Sequence, residues 1–136
     1  MKRLFTLPFL ATSLFAQEPN KDIRGGHSHS GHAFNEGPRQ EGPLMRSTGN
    51  VHLAITSSWD KGQAYFNQGL GQLHGFWYYE AERSFRAILA HDPNCAMAYW
   101  GLSQANYENE KRAKEFIAKA GELLKKEDFK ISDHER

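Results

Sequence analysis

Three histidines, His27, His29 and His32, fall within six residues in the segment GHSHSGH. Imidazole nitrogens at this spacing are ligands for zinc, copper or nickel. In an extended chain His27 and His29 project to one side, and His32 folds back across Gly31, with Glu36, His52 or water as a fourth ligand. Gly25, Gly26, Ser28, Ser30 and Gly31 leave the rings unfixed, so binding carries an ordering cost. No neighbouring group is placed to orient them. Composition favours a solvated linker here, with a divalent-metal carrier or sensor as the alternative. No Ser-His-Asp, CxxC, CxxCH, phosphate-loop or HExxH arrangement occurs in the chain. The sequence therefore predicts no enzymatic activity and no cofactor.

Single chemical groups elsewhere have plainer explanations. Cys95 is the only cysteine, so no internal disulfide forms. It fits a small buried side chain, with a free thiol or an intermolecular bridge as the other readings. His74 and His91 fall at expected helix ends, where an imidazolium meets the carbonyl end of the dipole. The cluster Phe76-Trp77-Tyr78-Tyr79 reads first as packing between helices and second as a ligand grip.

The frame that would position these groups begins with a leader. Lys2 and Arg3 precede the uncharged run LFTLPFLATSLFA (Leu4 to Ala16), and polar QEPNKD follows. That is the layout of a secretory signal peptide over residues 1–16, cut after Ala16 or after Ser13. The run is shorter than the roughly 20 apolar residues of a membrane span. The mature chain is thus expected in the periplasm or outside the cell, with no transmembrane span. Without Lys2 and Arg3, 15 basic residues stand against 16 acidic ones. A nearly neutral chain argues against nucleic acid as a partner.

Residues 17–58 are rich in Gly, Pro, Ser, Asn and His and have no period, an arm that is flexible or laid on the surface. Val51 to Thr56 (VHLAIT) is its one extended packing segment. From residue 59 the pattern changes. Ser57-Ser58-Trp59-Asp60 offers a serine cap with an acid following. Four helical runs then succeed one another: Tyr65, Phe66, Leu70, Leu73; Tyr78, Ala81, Phe85, Ile88, Leu89; Tyr99, Leu102, Ala105; and Ala113, Phe116, Ile117, Ala120, Leu124. Gly75, Asp92-Pro93 and the segment YENE separate them. The charges from Glu108 to Arg136 read as a solvated helix face with i,i+4 pairs. The expected class is all-α, an antiparallel helix-turn-helix solenoid over residues 59–130.

Ala64-Tyr65-Phe66 recurs as Ala98-Tyr99-Trp100, 34 residues on. With Tyr65, Gly69, Ala81, Phe85 and Pro93 in the first unit, and Tyr99, Leu102, Ala113 and Ile117 in the second, the chain resembles the tetratricopeptide repeat family over about two repeats. The run Gly71 to Leu102, with AFNEGPRQ and TGNVHL before it, is similar to exported bacterial proteins carrying such repeats, whose function is undefined. The packing logic is that slim Gly69 and Ala81 let two helices approach while Tyr65 and Phe85 fill the space beside them. About three repeats are usually needed for stability. Two repeats imply either a piece of a longer solenoid or a short relative that needs a partner, with apolar surface exposed at the C-terminal end. Ser132-Asp133-His134-Glu135 reads as a capping box opening a further helix within residues 131–136.

The resemblance implies a protein or peptide partner. Its groove is expected along the first helix of each pair, lined by Asn67, Gln68, Gln72, Gln104 and Asn106.

Overall fold

The computed structural model describes residues 42–45 and 47–135. The leader, most of the arm and His27, His29 and His32 lie outside the described residues. Within them the chain is all-helical and has no strand. Helices α1 (Gly62–His74), α2 (Tyr78–His91), α3 (Ala96–Ala105) and α4 (Glu110–Leu124) precede a 3-10 turn at Asp133–Glu135. Each helix packs on the next, and α1 also touches α3. Turns too short to cross the bundle force each packed pair to run antiparallel.

The core forms where small residues meet large ones. Phe85 of α2 is fully buried and pinched between α1 and α3. A Cβ on Gly69 would lie 2.6 Å from its ring, and one on Gly101 would lie 2.5 Å from it. Only glycine allows helices to close on a phenyl ring this tightly. Ala81, Tyr99 and Leu102 are buried around this contact, as expected of them. Pro93 is exposed, and its carbonyl accepts the Tyr99 hydroxyl at 3.2 Å.

Three expected packing positions are displaced. Phe66, not Tyr65, fills the core beside Phe85, with ring centroids 5.5 Å apart. Tyr65 packs half-buried at the edge of the core, against Trp59, which stacks on His91 at 4.2 Å. In α4 the buried stripe is Arg112, Phe116, Ala120 and Leu123, so Ala113 is only half-buried and Ile117 is exposed.

The reason for the rotation is a buried polar network. Glu82 Oε1 accepts from Arg112 Nη2 at 2.6 Å and from Arg86 Nε at 2.9 Å. Asn106 donates to Glu82 Oε2 at 3.2 Å and accepts from Arg112 Nε at 2.8 Å. Both guanidiniums lie over the Phe116 ring, at 5.6 and 5.8 Å. Burial pulls the Arg86 pKa below its ordinary value, against the pull of Glu82. The charged run after Glu108 is therefore not wholly a solvated face, since Arg112 is 0% exposed. Lys114–Glu110 keeps the expected i,i+4 surface pairing, and Lys119–Glu122 pairs at i,i+3.

The expected serine cap does not form. Helix α1 begins at Gly62, and Lys61 at its N-cap makes no side-chain bond. Ser57 instead donates to Asp92 Oδ2 at 2.9 Å, and the Ser58 N–H reaches the same oxygen at 2.7 Å. A tertiary carboxylate has outcompeted the local helix end. Glu135 does reach back to the Ser132 N–H at 2.9 Å, as a capping box requires. It also accepts the Thr56 N–H at 2.7 Å and the Thr56 hydroxyl at 2.6 Å. The expected apolar C-terminal end is not bare, because Phe129 packs on the core.

Candidate functional site

Helix α1 ends in a Schellman motif. The Trp77 N–H bonds Gln72 O at 2.8 Å and the Phe76 N–H bonds Leu73 O at 3.0 Å. The residue after the C-cap in this motif takes a left-handed conformation and is usually glycine. Here it is Phe76, at φ 60, although Gly75 stands next to it with φ −85. Among the described residues the only other non-glycine with positive φ is Ser47, at φ 72. Both border one corner of the molecule, where Ser47 and Trp77 line a small hollow of about 170 Å³.

That corner is aromatic and open. Phe76 is 77% exposed, and Trp77, Tyr79 and Tyr107 are each half exposed or more. The reading of Phe76-Trp77-Tyr78-Tyr79 as interior packing is thus corrected for three of its four residues, since only Tyr78 is partly buried. The segment leaves α1 through a turn that aims outward, so its rings have no helix to cover them. Tyr78 packs against Tyr107 at 5.1 Å, which bridges the α1–α2 corner to the end of α3.

Beside it opens a cleft of about 400 Å³ between the C-terminal ends of α1 and α3. Leu73, His74, Tyr78, Trp100, Gln104 and Tyr107 line it. None of these is Asp, Glu, Lys or Arg, so the cleft offers apolar faces with amide, imidazole and phenol edges. Such a surface suits a neutral, apolar anchor with main-chain groups for the polar edges to meet.

Of the five expected groove residues, only Gln104 lines this cleft. Gln68, Gln72 and Asn106 are buried, which corrects their placement in an open groove. Asn106 belongs to the Glu82 network. Asn67 is half-buried and bonds Gln63 and His52. Gln68 and Gln72 face a strap of residues 43–45 and 47–56 that lies along α1. The residues that sequence reasoning missed, Leu73, Trp100 and Tyr107, lie in the helical runs and turn already recognised.

Among the described residues no group of three or more His, Cys, Asp or Glu could hold a metal ion. Cys95 is buried, its thiol 3.6 Å from Thr56 O, and burial pushes its pKa up to about 12. Neither intermolecular bridging nor nucleophilic chemistry fits that setting. Among the described residues no helix is long and apolar enough to cross a membrane. No protein family, curated protein or solved structure matches the chain.

Proposed function

We propose that the chain is a non-enzymatic, exported scaffold of tetratricopeptide-like hairpins that holds a protein or peptide partner in the cleft between α1 and α3. One observation carries the reading: Phe76 is exposed and held left-handed, with its ring 6.4 Å from that of Tyr78, which lines the cleft. A left-handed non-glycine costs about 1 kcal/mol or more, and a phenyl ring 77% exposed, edge-on to Tyr78, returns little of it to the fold. Strain at a surface aromatic is a mark of a binding role. The 34-residue recurrence and the glycine-flanked Phe85 support the repeat class.

Selection from an immobilised random peptide library tests it. The full chain is expected to retain peptides with an apolar or aromatic anchor, and to lose them in Trp100→Ala. Phe76→Gly is expected to weaken retention while raising stability by about 1 kcal/mol. Retention by Trp100→Ala and Phe76→Gly equal to that of the parent would remove the cleft from consideration.

A further inference from the structure

The edge of α1 under the strap is a second binding surface, separate from the aromatic cleft. Two glutamines hold the strap in the same manner. Gln68 donates from Nε2 to Pro43 O at 3.0 Å and accepts the Met45 N–H on Oε1. Gln63 donates from Nε2 to Leu53 O at 2.9 Å and accepts the Ile55 N–H on Oε1 at 2.9 Å. Each carboxamide thus pairs with the carbonyl of one residue and the N–H of the second residue on. A peptide group of a neighbouring strand would do the same.

What is read is main chain, which any extended peptide offers. Leu44, Met45 and Leu53 are exposed, so those side chains contribute little to holding the strap, apart from a 3.5 Å contact of Met45 Sδ with Gln72. The clamp is set in advance. Gln68 Nε2 also donates to Ser84 Oγ at 2.9 Å, and Ser84 donates to Gln72 Oε1 at 2.7 Å. Helix α1 has no Asp, Glu, Lys or Arg, so its surface fits an uncharged occupant. Val51 and Ile55 pack on the core and mark where an occupant needs aliphatic side chains. At Gly71 a Cβ would lie 1.9 Å from Thr48 O, so the occupant's backbone runs directly against the helix.

We propose that this edge is a receptor for an extended peptide of a partner chain, with no Asp, Glu, Lys or Arg at the positions that bond α1 and with aliphatic residues four apart, and that the strap is its resident occupant. Gln63 and Gln68 already spend an amide N–H and the carbonyl oxygen on the strap. A partner that uses the same groups therefore replaces the strap and does not add to it. Covalent attachment gives the strap an effective concentration of the order of millimolar, which an incoming peptide must exceed or outbind.

Met45→Pro removes the N–H that Gln68 accepts, at an exposed residue outside the helices. The probe is a fluorescein-labelled peptide with the sequence of residues 42–56, followed by anisotropy against the full chain. Met45→Pro is expected to bind it at least tenfold more tightly than the parent chain does. Gln63→Ala and Gln68→Ala added to Met45→Pro should abolish binding, and a probe with proline at positions 45 and 55 should be inert. Equal affinity for parent and Met45→Pro, or binding that survives loss of both glutamines, overturns the proposal. A second measurement needs no variant. In the isotope-labelled parent chain, excess unlabelled peptide should speed hydrogen exchange at the Met45 and Ile55 amides at least tenfold, and unchanged exchange would equally overturn it.

Discussion

Gly101→Ala places two effects of similar size in opposition, and the geometry around Phe85 decides between them. Alanine in a helix interior is favoured over glycine by about 1 kcal/mol. Against this, the new Cβ would sit 2.5–2.7 Å from three atoms of the Phe85 ring. Overpacking of a core costs about 1–3 kcal/mol, and the value depends on whether the ring can retreat. It cannot move toward α1, because Gly69 has no more room on that side than Gly101 has on the other. Phe85 is also 0% exposed, so no solvent-facing escape exists. The overpacking term should therefore win, with a net loss of about 1–2 kcal/mol. For a domain of this size each kcal/mol is about 4–8 °C in Tm.

Chemical denaturation followed by circular dichroism measures the change, and Gly121→Ala is the control. Nothing lies within 4 Å of a Cβ at Gly121, so that variant receives only the helix-propensity gain and should be stabilised by about 0.5–1 kcal/mol. Phe85→Leu should cost less in the Gly101→Ala background than alone, with a coupling of at least about 0.5 kcal/mol. If Gly101→Ala proves as stable as Gly121→Ala, the ring is not pinched and the account of the core fails.

Glu82→Gln should destabilise the fold by about 3–5 kcal/mol in urea melts, because Arg86 and Arg112 would lose their shared buried carboxylate. At Glu135 burial pushes the pKa up, but hydrogen bonds from Ser132 and Thr56 outweigh it and hold the value below the ordinary 4.5. A depressed carboxylate contributes stability above its unfolded pKa and loses that contribution as pH falls through the folded value. Protection of the Thr56 amide, measured against its intrinsic exchange rate, should accordingly fall below about pH 4.5, and Glu135→Gln should flatten that dependence. Cys95 should resist thiol reagents at pH 8 in the folded chain and react fully in denaturant. Rapid labelling under native conditions would contradict its burial.

Helical periodicity and breakers were enough to place four helices, since the apolar spacing and the stops at Gly75 and Pro93 are local properties of the chain. The slim Gly69 against the large Phe85 was also legible, because the two residue types make sense only together. Gly101 was not, because the second unit's pattern runs through Tyr99 and Leu102, while Gly101 faces back toward Phe85 of the first. Which face of α4 turns inward was hidden for a related reason. Arg112 looks like a surface residue until Glu82, 30 positions earlier, is brought within 2.6 Å of it. The amides of α1 were expected to face an open groove, and a sequence does not say that Pro43, Met45, Leu53 and Ile55 of the same chain will bond to that helix. The corner at Phe76 shows the limit most clearly. Spacing made its rings candidates for the core, and only the left-handed turn after Gly75 sends them out to solvent. Local pattern determined which segments are helices. Long-range hydrogen bonds and close glycine contacts, which depend on groups far apart in the chain, determined which faces are buried and which are left open.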